Sequence, residues 1–148
     1  MEKLVEILKS ELLIYNELFA LLSAERELLK TRSKDDLYNL TGDIETLAYK
    51  VKGLEVVRGA EVSALSSTLG LAGEVSLKRI IDNAPSREKQ ELTGLRASLV
   101  AILTDITNIN RENGVMIDRS INNIKGAFNF LRDLSSVDTY SSDGKVGA

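Results

Sequence analysis

The chain has 148 residues, a net charge of −3 and neither cysteine nor histidine. The charge gives no basic face for nucleic acid or an anionic membrane. The missing cysteines exclude disulfides, and the missing histidines remove the commonest general base and metal ligand. Aromatic residues make up 5% and proline occurs once, which favours an elongated all-α protein. No window approaches the roughly 20 consecutive apolar residues of a membrane-spanning helix. The N-terminus lacks a signal-peptide apolar region, so we expect a cytoplasmic protein without membrane insertion.

Two long amphipathic helices are predicted at the start of the chain. The first covers residues 2–31, where two neighbouring apolar seams keep alternating spacings of three and four residues. Two seams make a wide face that packs against two partner helices. Glu25 and Arg26 interrupt both seams at one level, and we expect their long side chains to reach solvent at the edge of the bundle. Ser33, with an acid three residues later, predicts the start of a second helix over residues 34–69.

A short helix over residues 76–83 and a long helix over residues 86–134 complete the predicted fold. Pro85 separates them, since proline suits the first turn of a helix and disfavours helix in the residue before it. The fold class is therefore all-α: an elongated antiparallel three-helix bundle or coiled coil, with the short helix between helices two and three, in one domain over residues 1–134. Residues 135–148 are rich in Ser, Asp and Gly, a composition typical of a flexible tail.

The second half of the last predicted helix carries an apolar stripe with spacings of four and three residues. Its members are Ile117, Ile121, Ile124, Phe128 and Leu131. The first two helices are shorter than the third and can cover only part of it, so part of the stripe should extend beyond the bundle. The alternative is a bend at the weak helix formers Asn113 and Gly114, which would fold the stripe back. Asn110 and Asn113 occupy positions where a heptad prefers apolar residues, and either contact a partner or set register as buried amides.

An uncovered apolar stripe is typical of an interaction surface. It could hold an amphipathic segment of a partner, read by apolar anchors at helical spacing, or it could be core that the chain or a second copy covers. The sequence contains no Gly-rich phosphate loop and no concentrated group of carboxylates. We therefore expect neither an enzyme nor a bound cofactor or metal.

Several short motifs occur together in an order that resembles a known family. The N-terminal part has E-R-E-L-L at residues 25–29 and L-E-x-x-R at residues 54–58. The C-terminal part has the pattern Asn-x-x-Asn-x-x-(apolar)2-x-x-Ser, which here is Asn110, Asn113, Met116, Ile117 and Ser120. A Tyr-x-x-Asp-Gly tail follows at residues 140–144. In order and spacing, over nearly the whole chain, these motifs resemble the FlgN family of flagellar type III export chaperones.

The resemblance implies a cytoplasmic chaperone that binds the C-terminal segments of the hook-associated proteins FlgK and FlgL. It would prevent their premature assembly and deliver them to the export gate, with FlhA as the receptor. The resemblance implies these partner-binding residues: Asn110, Asn113, Ile117, Ser120, Ile121, Ile124, Phe128 and Leu131. Tyr140 is the implied gate-docking residue, or else an unstructured tail residue.

A structural coiled-coil adaptor or oligomerisation module remains the alternative function. An adaptor should form a tight homo-oligomer. A chaperone should be a monomer or a weak homodimer when it is free, and should form a heterodimer with its substrate.

Overall fold

A computed structural model describes residues 1–31, 33–117 and 125–135, and almost all of these residues are α-helical. The helices are α1 (Glu2–Thr31), α2 (Lys34–Thr68), α3 (Leu77–Asp82), α4 (Ser86–Ile117) and α5 (Lys125–Ser135). The described residues contain no β-strand. The predicted all-α bundle is confirmed, and the bounds of the first three helices agree with the expected ones to within one residue.

Helix α1 lies at the centre and pairs with a helix on each side. It runs antiparallel to α2, as shown by ion pairs from Lys3 to Glu61, at 3.7 Å, and from Glu11 to Arg58. It runs parallel to α4, with which it forms two ion pairs, Lys9–Glu91 at 3.3 Å and Arg26–Glu112 at 2.9 Å. In the described residues, no Cα atom of α2 lies within 8 Å of a Cα atom of α4. A channel over α1 therefore separates α2 from α4.

The turn after α2 and the short helix α3 return the chain to the start of α4. Gly70 and Gly73 have φ angles of 66° and 89°, in the region that a side chain disfavours. The hydroxyl of Ser76 caps α3 by accepting a hydrogen bond from the backbone N–H of Arg79, at 3.2 Å. The Arg79 guanidinium donates to the Glu74 carbonyl at 2.9 Å, which ties the turn to α3.

The single helix predicted over residues 86–134 is wrong, because α5 is a separate helix that folds back onto the bundle. Helix α4 continues through Gly114 to Ile117, so the chain does not bend at Asn113 and Gly114 either. Arg96 Nε lies 2.9 Å from the Leu134 carbonyl oxygen. In a continuous straight helix these two residues, 38 apart, would be separated by about 57 Å at 1.5 Å per residue. The chain therefore doubles back after α4, and α5 runs antiparallel to it.

The core runs along the α1–α4 and α1–α2 interfaces and includes the inner face of α5. Among the described residues, one segment, Ser86–Gly114, is long and apolar enough to cross a membrane by length and composition alone. The expectation that no segment would qualify was too strong, because it counted only uninterrupted apolar runs. The apolar residues of this segment pack in the core, and the core helix of a soluble bundle passes the same criterion.

Candidate functional site: the groove filled by α5

Helix α5 has one apolar face and one polar face. Among its described side chains, the buried ones are Ala127, Phe130 and Leu134, at spacings of three and four residues, and each is at most 2% exposed. Its described polar side chains lie on the opposite face and are exposed: Asn129, Arg132 and Asp133. This spacing places the three apolar residues on a single stripe that the bundle covers. Helix α5 therefore binds to the bundle as an amphipathic helix binds in a groove.

The surface that holds α5, which we call the α5 groove, includes Tyr15 of α1, Arg58 of α2 and Arg96 of α4, and α3 also contacts α5. The Phe130 ring lies 6.1 Å from the Tyr15 ring, measured between centroids, with the two planes at 41°. The Arg58 guanidinium carbon lies 3.5 Å from the Phe130 ring centroid, a cation–π contact. The Arg96 guanidinium donates from Nε and Nη2 to the Leu134 carbonyl near the end of α5. Phe130 thus lies over the middle of the groove, and Arg96 caps the helix end.

An ion pair lies in the floor of the groove. The Glu11 carboxylate is 1% exposed and accepts a hydrogen bond from Arg58 Nη1. Burial raises the pKa of Glu11 to about 7, and the Arg58 charge opposes this rise. Burial also raises the pKa of Tyr15 above its ordinary value, and the Glu11 charge adds to the rise. Phe130 covers one face of the guanidinium, so α5 shields from water the cation that pairs with the Glu11 carboxylate.

Asn110 and Asn113, two of the expected partner-binding residues, are inside the bundle. They are 2% and 0% exposed. The Asn113 amide donates to the Leu22 carbonyl at 2.9 Å and to Glu25 Oε1 at 2.8 Å, which joins α4 to α1. Of the two interpretations that the sequence left open, this geometry favours the buried amide that sets helix register.

Glu25 is also inside the bundle, against expectation. Its side chain is 0% exposed, where the sequence predicted that it would reach solvent. The Asn113 amide on the facing helix supplies a hydrogen bond to the carboxylate, which makes this burial tolerable. The neighbouring Arg26 was also expected to reach solvent. Its side chain is partly exposed and forms an ion pair with Glu112. Glu25 and Asn113 therefore form one polar contact that positions α1 against α4.

The structure describes only some residues of the apolar stripe that the sequence predicted over residues 117–131. Leu131 is half-buried on α5. Ile117 and Phe128 belong to α4 and α5, but their side chains are not among those described. The remaining predicted residues lie outside the described part of the chain: Ser120, Ile121, Ile124 and Tyr140.

The buried face of α5 is offset from the predicted stripe, and sequence reasoning missed three of its residues. Ala127, Phe130, Leu131 and Leu134 follow the spacing i, i+3, i+4 and i+7, so the signal was present in the sequence. Choosing between this face and the one through Phe128 required knowing what the helix packs against. Arg58 and Arg96 gave no sequence signal as groove residues, since their contacts come from a distant part of the chain.

In the residues that the structure describes, no group of three or more acidic side chains is arranged to hold a metal ion. The arrangement instead offers a helix-binding groove, with buried apolar contacts, a cation that faces an aromatic ring and a guanidinium that binds a helix end. Such a groove can bind and release an amphipathic helix without any covalent step.

Comparison with protein families matches the chain to the model described as FlgN protein, over residues 1–147. The chain therefore belongs to the FlgN family. This is a cytoplasmic chaperone family of flagellar export, so the chain has the general role of a flagellar export chaperone that binds export substrates. Comparison with curated proteins and with solved structures gave no match.

Proposed function

We propose that this chaperone binds the C-terminal segments of the hook-associated proteins FlgK and FlgL in the cytoplasm. It keeps them from assembling prematurely and delivers them to the export gate, where FlhA is the receptor. It acts by binding alone and is not an enzyme. The observation that carries this proposal is the family match over nearly the whole chain, including the C-terminal region where the substrate motif lies.

The structure supports a helix as the form in which the substrate binds. Helix α5 shows that the bundle accepts an amphipathic helix between α2 and α4, with Phe130 and Leu134 buried. The C-terminal stripe around Ile121 and Ile124, together with Leu131, supplies further apolar residues at helical spacing for a partner. Tyr140, in the tail, is the proposed contact with the gate.

Co-expression with FlgK, followed by gel filtration, tests the proposal. The two proteins should elute together, and FlgK lacking its C-terminal segment should not elute with the chain. Ile121→Asp should weaken the complex, since it places a charge in the apolar stripe. The control is Asn129→Ala, because Asn129 is exposed on the polar face of α5. The proposal fails if the proteins never elute together and Ile121→Asp alters only self-association, which is the behaviour expected of a coiled-coil adaptor.

A further inference from the structure

Helix α5 is held in place by a small number of contacts. It has 11 residues, and isolated helices shorter than about 12–15 residues are marginal in water. Its helical form therefore depends on the groove. Ala127, Phe130 and Leu134 are its fully buried side chains among those described, and Arg96 holds its last turn. Losing one of these contacts should release α5 while leaving the rest of the bundle folded.

The α5 groove is built by helices that pack without α5. Helix α1 pairs with α2 and with α4 along most of its length, whereas α2 and α4 do not approach each other in the described residues. Tyr15 belongs to α1, Arg58 is fixed by Glu11 of α1, and Arg96 lies on α4. The groove residues are thus carried by helices whose contacts with one another do not involve α5.

Docked α5 hides the apolar surface that an amphipathic partner needs. Its outer face carries the exposed polar side chains Asn129, Arg132 and Asp133. Its described apolar side chains Ala127, Phe130 and Leu134 are turned inward, and Leu131 is partly exposed. An amphipathic partner therefore reaches the apolar surface under these three side chains only when α5 leaves the groove.

We propose that α5 occupies the groove that receives the amphipathic helix of the export substrate, so that α5 docking and substrate binding exclude each other. This inference rests on the proposed function, and it adds where the substrate binds and what it displaces. The docked helix defines the chemistry of the partner: apolar residues at i, i+3 and i+7, an aromatic ring at the middle position over Arg58, and a helix end whose carbonyl accepts from Arg96.

Binding affinity gives the first test, using the full chain and a fluorescein-labelled peptide with the sequence of the FlgK C-terminal segment. If α5 competes with the peptide, the apparent dissociation constant equals the intrinsic one divided by the fraction of chain in which the groove is free. Phe130→Ala removes the central contact of α5 and should tighten binding by about tenfold or more. Leu134→Ala should act in the same direction. Asn129→Ala is the matched control and should leave the affinity unchanged, since that side chain faces solvent.

Fluorescence gives the second test, which does not depend on a destabilised variant. The chain has no tryptophan, so Phe130→Trp places a single indole in the groove. Titration with the same peptide should shift the indole emission to longer wavelength, as the ring moves from a buried to a wet environment. The dissociation constant from this emission shift should equal the one that the fluorescence anisotropy of the labelled peptide gives in the first test.

The outcomes separate this inference from the proposed function. If the peptide binds wild type and Phe130→Ala equally, or more weakly after the substitution, and the indole emission stays constant, then α5 does not compete, and the chaperone function stands. If the peptide binds neither wild type nor any α5 variant, the proposed function and this inference both fail. Tighter binding together with the emission shift supports the exclusion of α5 by the substrate.

Discussion

At Glu11, burial and a neighbouring charge have opposite effects on the pKa of the same carboxyl group. Its carboxyl is enclosed by Tyr15 of α1, by Arg58 and Glu55 of α2, and by Phe130 stacked on Arg58. Desolvation outweighs the attraction of Arg58, so the pKa of Glu11 rises from 4.5 to about 7. The unfolded chain releases this proton near pH 4.5, whereas the folded chain keeps it to about pH 7. The contribution of Glu11 to stability is therefore complete below pH 4.5 and is lost as the pH rises through 7.

Glu11→Gln should remove this pH dependence. Between pH 5 and pH 8, the free energy of unfolding of the wild type should fall by about 2 kcal/mol more than that of Glu11→Gln, because one pKa unit corresponds to about 1.4 kcal/mol. Urea unfolding at the two pH values measures the difference. Glu17→Gln, an exposed change on the same helix, should keep the wild-type pH dependence. Parallel pH profiles for wild type and Glu11→Gln would show that Glu11 is not buried as described.

Asn113 is the second residue whose chemistry can be tested directly. Asn113→Asp keeps the shape of the side chain but replaces the amide donor to Glu25 with an acceptor, so two carboxyl groups would share a buried site. We expect a loss of roughly 3 kcal/mol in the free energy of unfolding at pH 7, and a smaller loss at pH 4, where the introduced aspartic acid can hold a proton. Urea unfolding measures both values.

Asn108→Asp is the control for this substitution, because Asn108 lies on the exposed face of the same helix. Its effect should stay within about 0.5 kcal/mol, as for most surface changes. Equal stability of Asn113→Asp and the wild type at pH 7 would contradict the buried contact between α1 and α4.

At the scale of elements, the sequence predicts most of the helices but not the position of the last one. Apolar periodicity, Ser33 and Pro85 were sufficient for α1, α2, α3 and the start of α4, because these signals are local. The return of α5 depends on burying Phe130 and Leu134 against Tyr15, Arg58 and Arg96, which lie far away in the sequence. Helical periodicity alone continues through residues 117–125 and cannot distinguish a straight helix from a reversed one.

The candidate site was predictable to the same limited degree. The sequence indicated that the C-terminal stripe would be the unusual surface of the chain, and the structure shows that part of this region is an amphipathic helix lying in a groove. The burial of Asn110 and Asn113 could not be predicted, because an amide at a heptad position suits a partner contact and a register contact equally well. Glu25 shows the same limit, since its tolerance for burial comes from a donor on another helix.

At the scale of the whole molecule, the bundle combines a firmly packed pair of helices, α1 and α4, with a helix, α5, that a substrate can replace. The α1–α4 interface is held by an apolar core and by the contact of Asn113 with Glu25, whereas α5 contributes one short face. A chaperone that must later release its substrate needs a reversible interface. When α5 returns to the groove, it opposes rebinding of the substrate. The same device keeps apolar surface covered in the free protein, which limits self-association.

The mass of the protein in solution tests the central claim, that this chaperone binds one copy of a hook-associated substrate. Light scattering coupled to gel filtration should give the mass of a monomer for the free chain, with at most a weak, concentration-dependent dimer. After mixing with FlgK, it should give the mass of a complex with one copy of each protein. A tight homo-oligomer whose mass does not change with dilution or with added FlgK would contradict the account.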